Sequence, residues 1–307
     1  MAESRSNFGR SNSRRFDRVA GVIVSVAALS IVALLGWGVV ATLRAGLGEI
    51  DLPFLTTAPT RAGRGGGIGP LIVSTLLVLA IAMLAATPIA LLAAIRLAER
   101  SRQDRPGAVV ARSGLIVLAA VPSIVFGLFG NALFCQALGM GYSILAGGLT
   151  LGCMILPFMT ITSERALRDL PDDWRLGAAA LGIGRLSYLW RIELPAAAPA
   201  LGSALALGIG RSLAETAALL FTSGYVMRVP TSLFDSGRTL SVHVYDLAMN
   251  VPGGASRASA TACVLIGLMV LIDGTVVASL ARIGAGRSAP IRRDASRDRA
   301  SRIGDRS

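Results

Sequence analysis

Arg211 and Glu215 stand four residues apart in an otherwise apolar stretch, and Ser212 and Thr216 each follow one of them. On a helix that spacing puts both charges on one face. An arginine presents five fixed N–H donors, stays charged at any relevant pH and suits a tetrahedral oxyanion. A carboxylate beside it suits an oxyanion that still carries a proton. Hydrogenphosphate and dihydrogenphosphate offer an O–H to such a carboxylate, whereas sulfate at neutral pH has none. Arg211, Ser212, Glu215 and Thr216 therefore read as a polar substrate pathway. The competing reading is that the two charges only neutralise each other, because a charge at membrane depth costs from about 2.5 kcal/mol upward. Asp273 is a third charge in an apolar stretch; it reads as a structural group paired with an arginine, outside the pathway.

These residues need a membrane fold to hold them. The chain has 307 residues, 53% hydrophobic and 16% charged, too apolar for a soluble domain and too long for a single anchor. About 20 mainly apolar residues cross the hydrocarbon. Six stretches qualify, at 19–43, 70–96, 110–137, 143–162, 196–221 and 259–281, so the expected fold is an all-α polytopic membrane protein with six transmembrane helices. The first has an apolar run too long for a cleaved signal peptide and is expected to stay as a span. Residues 1–18 and 283–307 are polar, arginine-rich tails, expected to be disordered and able to touch anionic lipid.

Every one of the 30 Lys and Arg residues is arginine, and 23 of them lie in the N-terminus, the 96–112 connection, the 163–195 loop and the C-terminal segment from Arg282 onward. The positive-inside rule places those segments, and both termini, on the cytoplasmic side. The net charge of +12 is then a topology signal, and nucleic acid is not an expected partner. Without a lysine the chain has no P-loop, so any ATP must be bound by another subunit. Cys135, Cys153 and Cys263 fall in spans, lack metal-ligand spacing and read as small packing residues. No metal or cofactor is expected in this chain.

Two loops are long. Residues 44–68 end in a glycine run, and residues 222–258 mix apolar and charged positions, a pattern suited to a surface helix where an external partner could dock; its His243 reads as exposed and incidental. Inside the spans, Pro88, Pro122 and Pro157 are expected to interrupt helices, with Gly127 close behind Pro122. On the cytoplasmic side, Pro171-Asp172-Asp173 reads as a helix start and Gly182 as its stop.

The spacing of Ala178, Gly182, Ile192, Leu194 and Pro195 resembles the coupling loop of ABC import permeases, in which a Glu-Ala-Ala is followed by Gly and then Ile-x-Leu-Pro. Leu176 and Gly177 stand where that family has the acidic residue and the first alanine. The runs Val121-Pro122-Ser123-Ile124-Val125-Phe126-Gly127-Leu128-Phe129-Gly130, Leu145 to Leu151 and Arg211 to Thr222 resemble the A-type permease subunits of bacterial phosphate-specific ABC importers, over about residues 66–282. The C-type subunits share much of this; Thr216-Ala217-Ala218-Leu219-Leu220-Phe221-Thr222-Ser223-Gly224 favours the A type.

That resemblance implies a type I importer permease fold, with a permease core at 69–282 and a coupling helix in the 163–195 loop, in the bacterial cytoplasmic membrane. It implies a second, C-type permease, an ATP-binding cassette dimer that binds ATP and Mg, and an external phosphate-binding protein. It assigns phosphate passage to Arg211 and Glu215, and contact with the ATPase to Asp172, Asp173, Ala178, Gly182, Ile192, Leu194 and Pro195. Other oxyanions, phosphonate or molybdate, stay open as substrates. From the residues alone, an ATP-independent secondary transporter relaying protons through Asp273 and Glu215 is the alternative. An intramembrane enzyme would need a catalytic set, and the spans hold no histidine.

Overall fold

The computed structural model describes the backbone of residues 6–102 and 106–285, and the side chains of 20–99 and 106–282. Helix α1 (Ser6–Gly46) begins within the stretch expected to be a disordered tail, so the backbone of residues 6–18 is helical; residues 1–5 and most of the C-terminal tail lie outside the described residues. The apolar side chains of α1, Val22 to Trp37 among them, stay exposed, as a helix facing lipid would. Its far end touches the rest of the chain, where Gly46 lies against the Ser259 carbonyl and Cys263.

After α2 (Leu52–Thr56), a two-stranded ribbon pairs Pro59 with Gly66 and Thr60 with Gly65, and leads into α3 (Gly69–Arg102). Pro88 sits inside α3 without ending it. The next expected span, 110–137, is broken: α4 (Pro106–Ala119) and α5 (Ser123–Gly130, continued by a π-helical turn to Ala137) meet at a bend of 91°. Pro122 is the residue at the break. It fixes its own φ and cannot donate to the preceding turn.

Helix α6 (Ile144–Arg168) is the most buried element and runs unbroken through Pro157. Close approach to α3 needs small residues. A Cβ at Gly148 would lie 2.6 Å from Ile81 Cβ, and Ala82, Ala86 and Ala90 are buried in the same seam. Short helices α7 (Asp172–Ala180) and α8 (Arg185–Tyr188), with a π turn over Leu189–Glu193, precede α9 (Leu194–Ala214). Gly208 of α9 packs on Met159 of α6. After α10 (Ala217–Leu220) and α11 (Leu240–Met249), α12 (Ala255–Ala285) returns along α9, with Gly202 on Leu280 and Gly210 on Met269.

Among the described residues, five helices are long and apolar enough to cross a membrane, or six when the bent α4–α5 pair is taken as one span. The all-α polytopic fold and the six apolar regions agree with the sequence. Two boundaries do not: the 110–137 stretch is bent, and the 196–221 stretch stops being helical at Ala214.

Candidate functional site

The break at Ala214 decides how the polar cluster is arranged. Arg211 occupies the last turn of α9, where the helix dipole favours a cation, and its side chain is exposed. Glu215 is extended, with φ −73° and ψ 129°, so the two charges do not share the helix face that their spacing suggested. Among the described residues no ion pair joins them, and Arg211 takes part in none. Local chemistry explains the break. Glu215 Oε1 accepts the Ala218 N–H at 3.3 Å and starts α10, while its carbonyl accepts the Ser241 hydroxyl of α11 at 2.6 Å. Acidic side chains that bond the following backbone favour such a new start over continued helix.

Ser212 is buried, and its hydroxyl is spent on the Gly208 carbonyl at 2.9 Å. Thr216 is partly buried beside Glu215. The cluster thus presents an exposed guanidinium and a half-buried carboxylate at a chain break. Beneath the break lies α5: a methyl group at Gly127 would sit 2.8 Å from Ala218 Cα, and Asn131 donates to the Phe221 carbonyl at 2.7 Å. Gly127 is inside α5, at a close helix contact, and the bend itself is at Pro122. Asp273 of α12 faces Gly210, where a Cβ would lie 3.3 Å from its Oδ2. Its Oδ1 is buried without a hydrogen-bond partner, so the expected arginine partner is absent among the described residues.

At the opposite end of the bundle, α7 starts after Pro171 with Asp172 and Asp173 in its first turn, favourable against the helix dipole. Gly182 has φ +72°, with Ile183 N–H on the Ala178 carbonyl and Gly182 N–H on that of Ala179, a Schellman stop. Ala178 is buried, whereas Trp174, Leu176, Leu181, Leu186 and Trp190 are exposed. Leu194 packs with Ala94, Ala98 and Leu167, Pro195 is buried at the start of α9, and Ile192 lies in the π turn between them. An Arg185–Glu99 ion pair closes the edge of a cleft of about 320 Å³ between α3, α7 and the π turn. The short helix and glycine stop agree with the sequence; the apolar outer surface of this loop was not anticipated.

Two charge clusters also escaped the sequence reading. Glu164, near the end of α6, is fully buried against Arg112 of α4 and Arg168. In the 222–258 loop, Arg238 bonds Asp246 at 2.9 Å, approaches His243 Nδ1 at 3.4 Å and stacks over Tyr225. His243 is buried, 1% exposed, which corrects its reading as an exposed residue. Burial, reinforced by the Arg238 charge and opposed by Asp246, pushes its pKa down to about 4.

Comparison with known proteins bears on this geometry. The model of the family "Binding-protein-dependent transport system inner membrane component" matches residues 86–284. The "Probable ABC transporter permease protein YqgI" of Bacillus subtilis is 29% identical over 83% of this chain and 92% of its own length. The "Phosphate transport system permease protein PstA homolog" of Mycoplasma pneumoniae is 36% identical over 58% of this chain, which spans only 28% of that longer protein. Among solved structures, a chain of the inward-facing MetNI methionine ABC transporter superposes with a TM-score of 0.54 at 16% identity, covering 69% of this chain and 95% of that one. That likeness shows the fold, a type I ABC importer permease.

Proposed function

We propose that this chain, which belongs to the family of binding-protein-dependent transport system inner membrane components, is the A-type permease subunit of an ATP-driven importer of inorganic phosphate. The observation that carries the reading is the end of α9 at Ala214, which leaves the Arg211 guanidinium exposed and, among the described residues, outside any ion pair, four residues before the half-buried Glu215 carboxylate. Broken helices that expose polar groups are the usual construction of a solute pathway in a membrane. The arginine donates to phosphate oxygens, and the carboxylate accepts the O–H that sulfate lacks. Support for phosphate also comes from the relative that carries the PstA name.

The site is open in this chain, and a second, C-type permease completes the pathway. With termini and α7 cytoplasmic, α7 docks on a separate ATPase dimer that binds ATP and Mg, and phosphate arrives from an external binding protein. ATP binding displaces α7 and switches the side to which the pathway opens, a rigid-body alternation. In cells carrying the whole set of subunits, labelled phosphate uptake by wild type and Arg211→Gln is compared at matched abundance, with labelled sulfate as control. Uptake falls in the variant if Arg211 lies in the pathway; unchanged uptake leaves Arg211 outside it. Excess phosphonate or molybdate identifies a broader oxyanion site if it abolishes phosphate uptake, and loss of ATP hydrolysis in the partner without loss of uptake points to an ATP-independent transporter.

A further inference from the structure

The α7 end of α6 holds a charge arrangement that phosphate recognition does not use. Glu164 is fully buried, and both Arg112 and Arg168, the latter at 3.5 Å, reach its Oε1. Among the described residues, Oε2 is buried with no hydrogen-bond partner. A buried carboxylate satisfied on one oxygen is a costly way to hold two helices together, since apolar packing does so without desolvating a charge. Its position supplies a reason for its presence.

Arg112 belongs to α4, which turns by 91° into α5, and α5 supports the segment after Glu215 through Gly127 and Asn131. The other end of α6 holds the same segment: Ser143 N–H bonds the Thr222 carbonyl at 3.0 Å, and Leu145 N–H that of Leu233 at 2.9 Å. Both α5 and α6 thus end against the chain that follows the break. At the end where α6 leads into α7, Glu164 and Arg112 join the two supports.

We propose that Glu164 is a positioning residue that makes the α4–α5 arm and α6 move as one body, so that displacement of α7 reaches the chain break at Glu215. This rests on the reading of α7 as the segment that a partner ATPase displaces. A contiguous set of contacts establishes coupling only when perturbations at its two ends are shown to depend on each other, and the test is built on that dependence.

In the assembled importer, Glu164→Gln lowers phosphate moved per ATP hydrolysed about tenfold, within the ordinary range of coupling between sites, while hydrolysis continues. Arg112→Gln, which leaves Glu164 with Arg168, is measured alongside, and the exchanged pair Glu164→Arg with Arg112→Glu regains part of the loss. A second arm needs no transported solute: the ATP hydrolysis rate of Glu215→Gln is measured with Glu164 intact and with Glu164→Gln. The effect of Glu215→Gln disappears in the second background if Glu164 carries the linkage. Independent effects on ATP hydrolysis, or an unchanged transport ratio in Glu164→Gln while wild type moves phosphate, would overturn the proposal. A wild type that hydrolyses ATP yet moves no phosphate refutes the phosphate reading alone, and the hydrolysis arm still decides the role of Glu164.

Discussion

Acid should loosen the 222–258 loop through a single residue. His243 on α11 is 1% exposed, packed so closely against the other long loop that a Cβ at Gly63 would lie 2.5 Å from its Cε1. The groups facing it are the Arg238 cation, which opposes a second positive charge, and Asp246, which favours it but already accepts from Arg238. The pKa is depressed, from 6.5 to about 4. When the loop opens, His243 regains the ordinary value, so the open form binds the proton more tightly and stability falls as pH drops below 6.5. Linkage gives a loss of about 2 kcal/mol at pH 5 and about 3 kcal/mol once pH is below the folded value. The assay is amide hydrogen exchange of α11 in the intact complex in nanodiscs at pH 7.5, 6 and 5, corrected for the intrinsic pH dependence of exchange. Wild type should lose about 30-fold in protection of α11 between pH 7.5 and 5, and His243→Gln should lose far less. Equal losses in the two proteins would refute the assignment of acid sensitivity to this buried imidazole.

Further outcomes follow from close contacts elsewhere. Gly127→Val places side-chain carbon against the Ala218 backbone, which cannot step aside, so α5 must lift from α10; the cost is about 1–3 kcal/mol, seen as a lower melting temperature of the complex together with reduced phosphate uptake. Gly182→Pro cannot adopt the φ of +72° that the Schellman stop uses. ATP hydrolysis should then be uncoupled from transport with insertion unimpaired, and unaltered transport would exclude Gly182 from coupling.

Much of the fold was legible because hydrophobic length is a direct physical requirement for crossing a membrane. Helix α7 was legible too, since Pro171 and Gly182 mark its ends by backbone chemistry. The break after Ala214 was not. Nothing in the apolar run from Leu194 to Phe221 ends a helix by propensity; the helix stops because Glu215 finds the Ala218 N–H and Ser241 finds the Glu215 carbonyl, and Ser241 is 26 residues away. Glu164 was missed for a related reason. It lies just past the expected end of its span and reads as interfacial until α4 brings Arg112 onto it. Pro88 and Pro157 misled in the other direction: each sits in a continuous helix, and only Pro122 accompanies a bend.

The placement of the two breaks argues that they form one feature. Irregular backbone at membrane depth is tolerated only where its freed polar groups are satisfied within the protein. Here each broken element supplies what the other lacks. The Asn131 side chain of the bent α4–α5 pair bonds the Phe221 carbonyl beyond the α9 break, and Gly127 removes the side chain that would hold α5 away from Ala218. The N-terminus of α6 takes the Thr222 carbonyl, and α11 takes that of Glu215. With the backbone so provided for, the groups left over at the break are the Arg211 guanidinium, exposed, and the Glu215 carboxylate, whose one bond to Ala218 N–H leaves acceptor capacity free. A fold that only needed to cross the membrane would have continued α9 through Phe221 and paired the two charges on one face. Breaking it instead leaves the arginine outside any ion pair among the described residues, and that is the physical ground for proposing an anion pathway there.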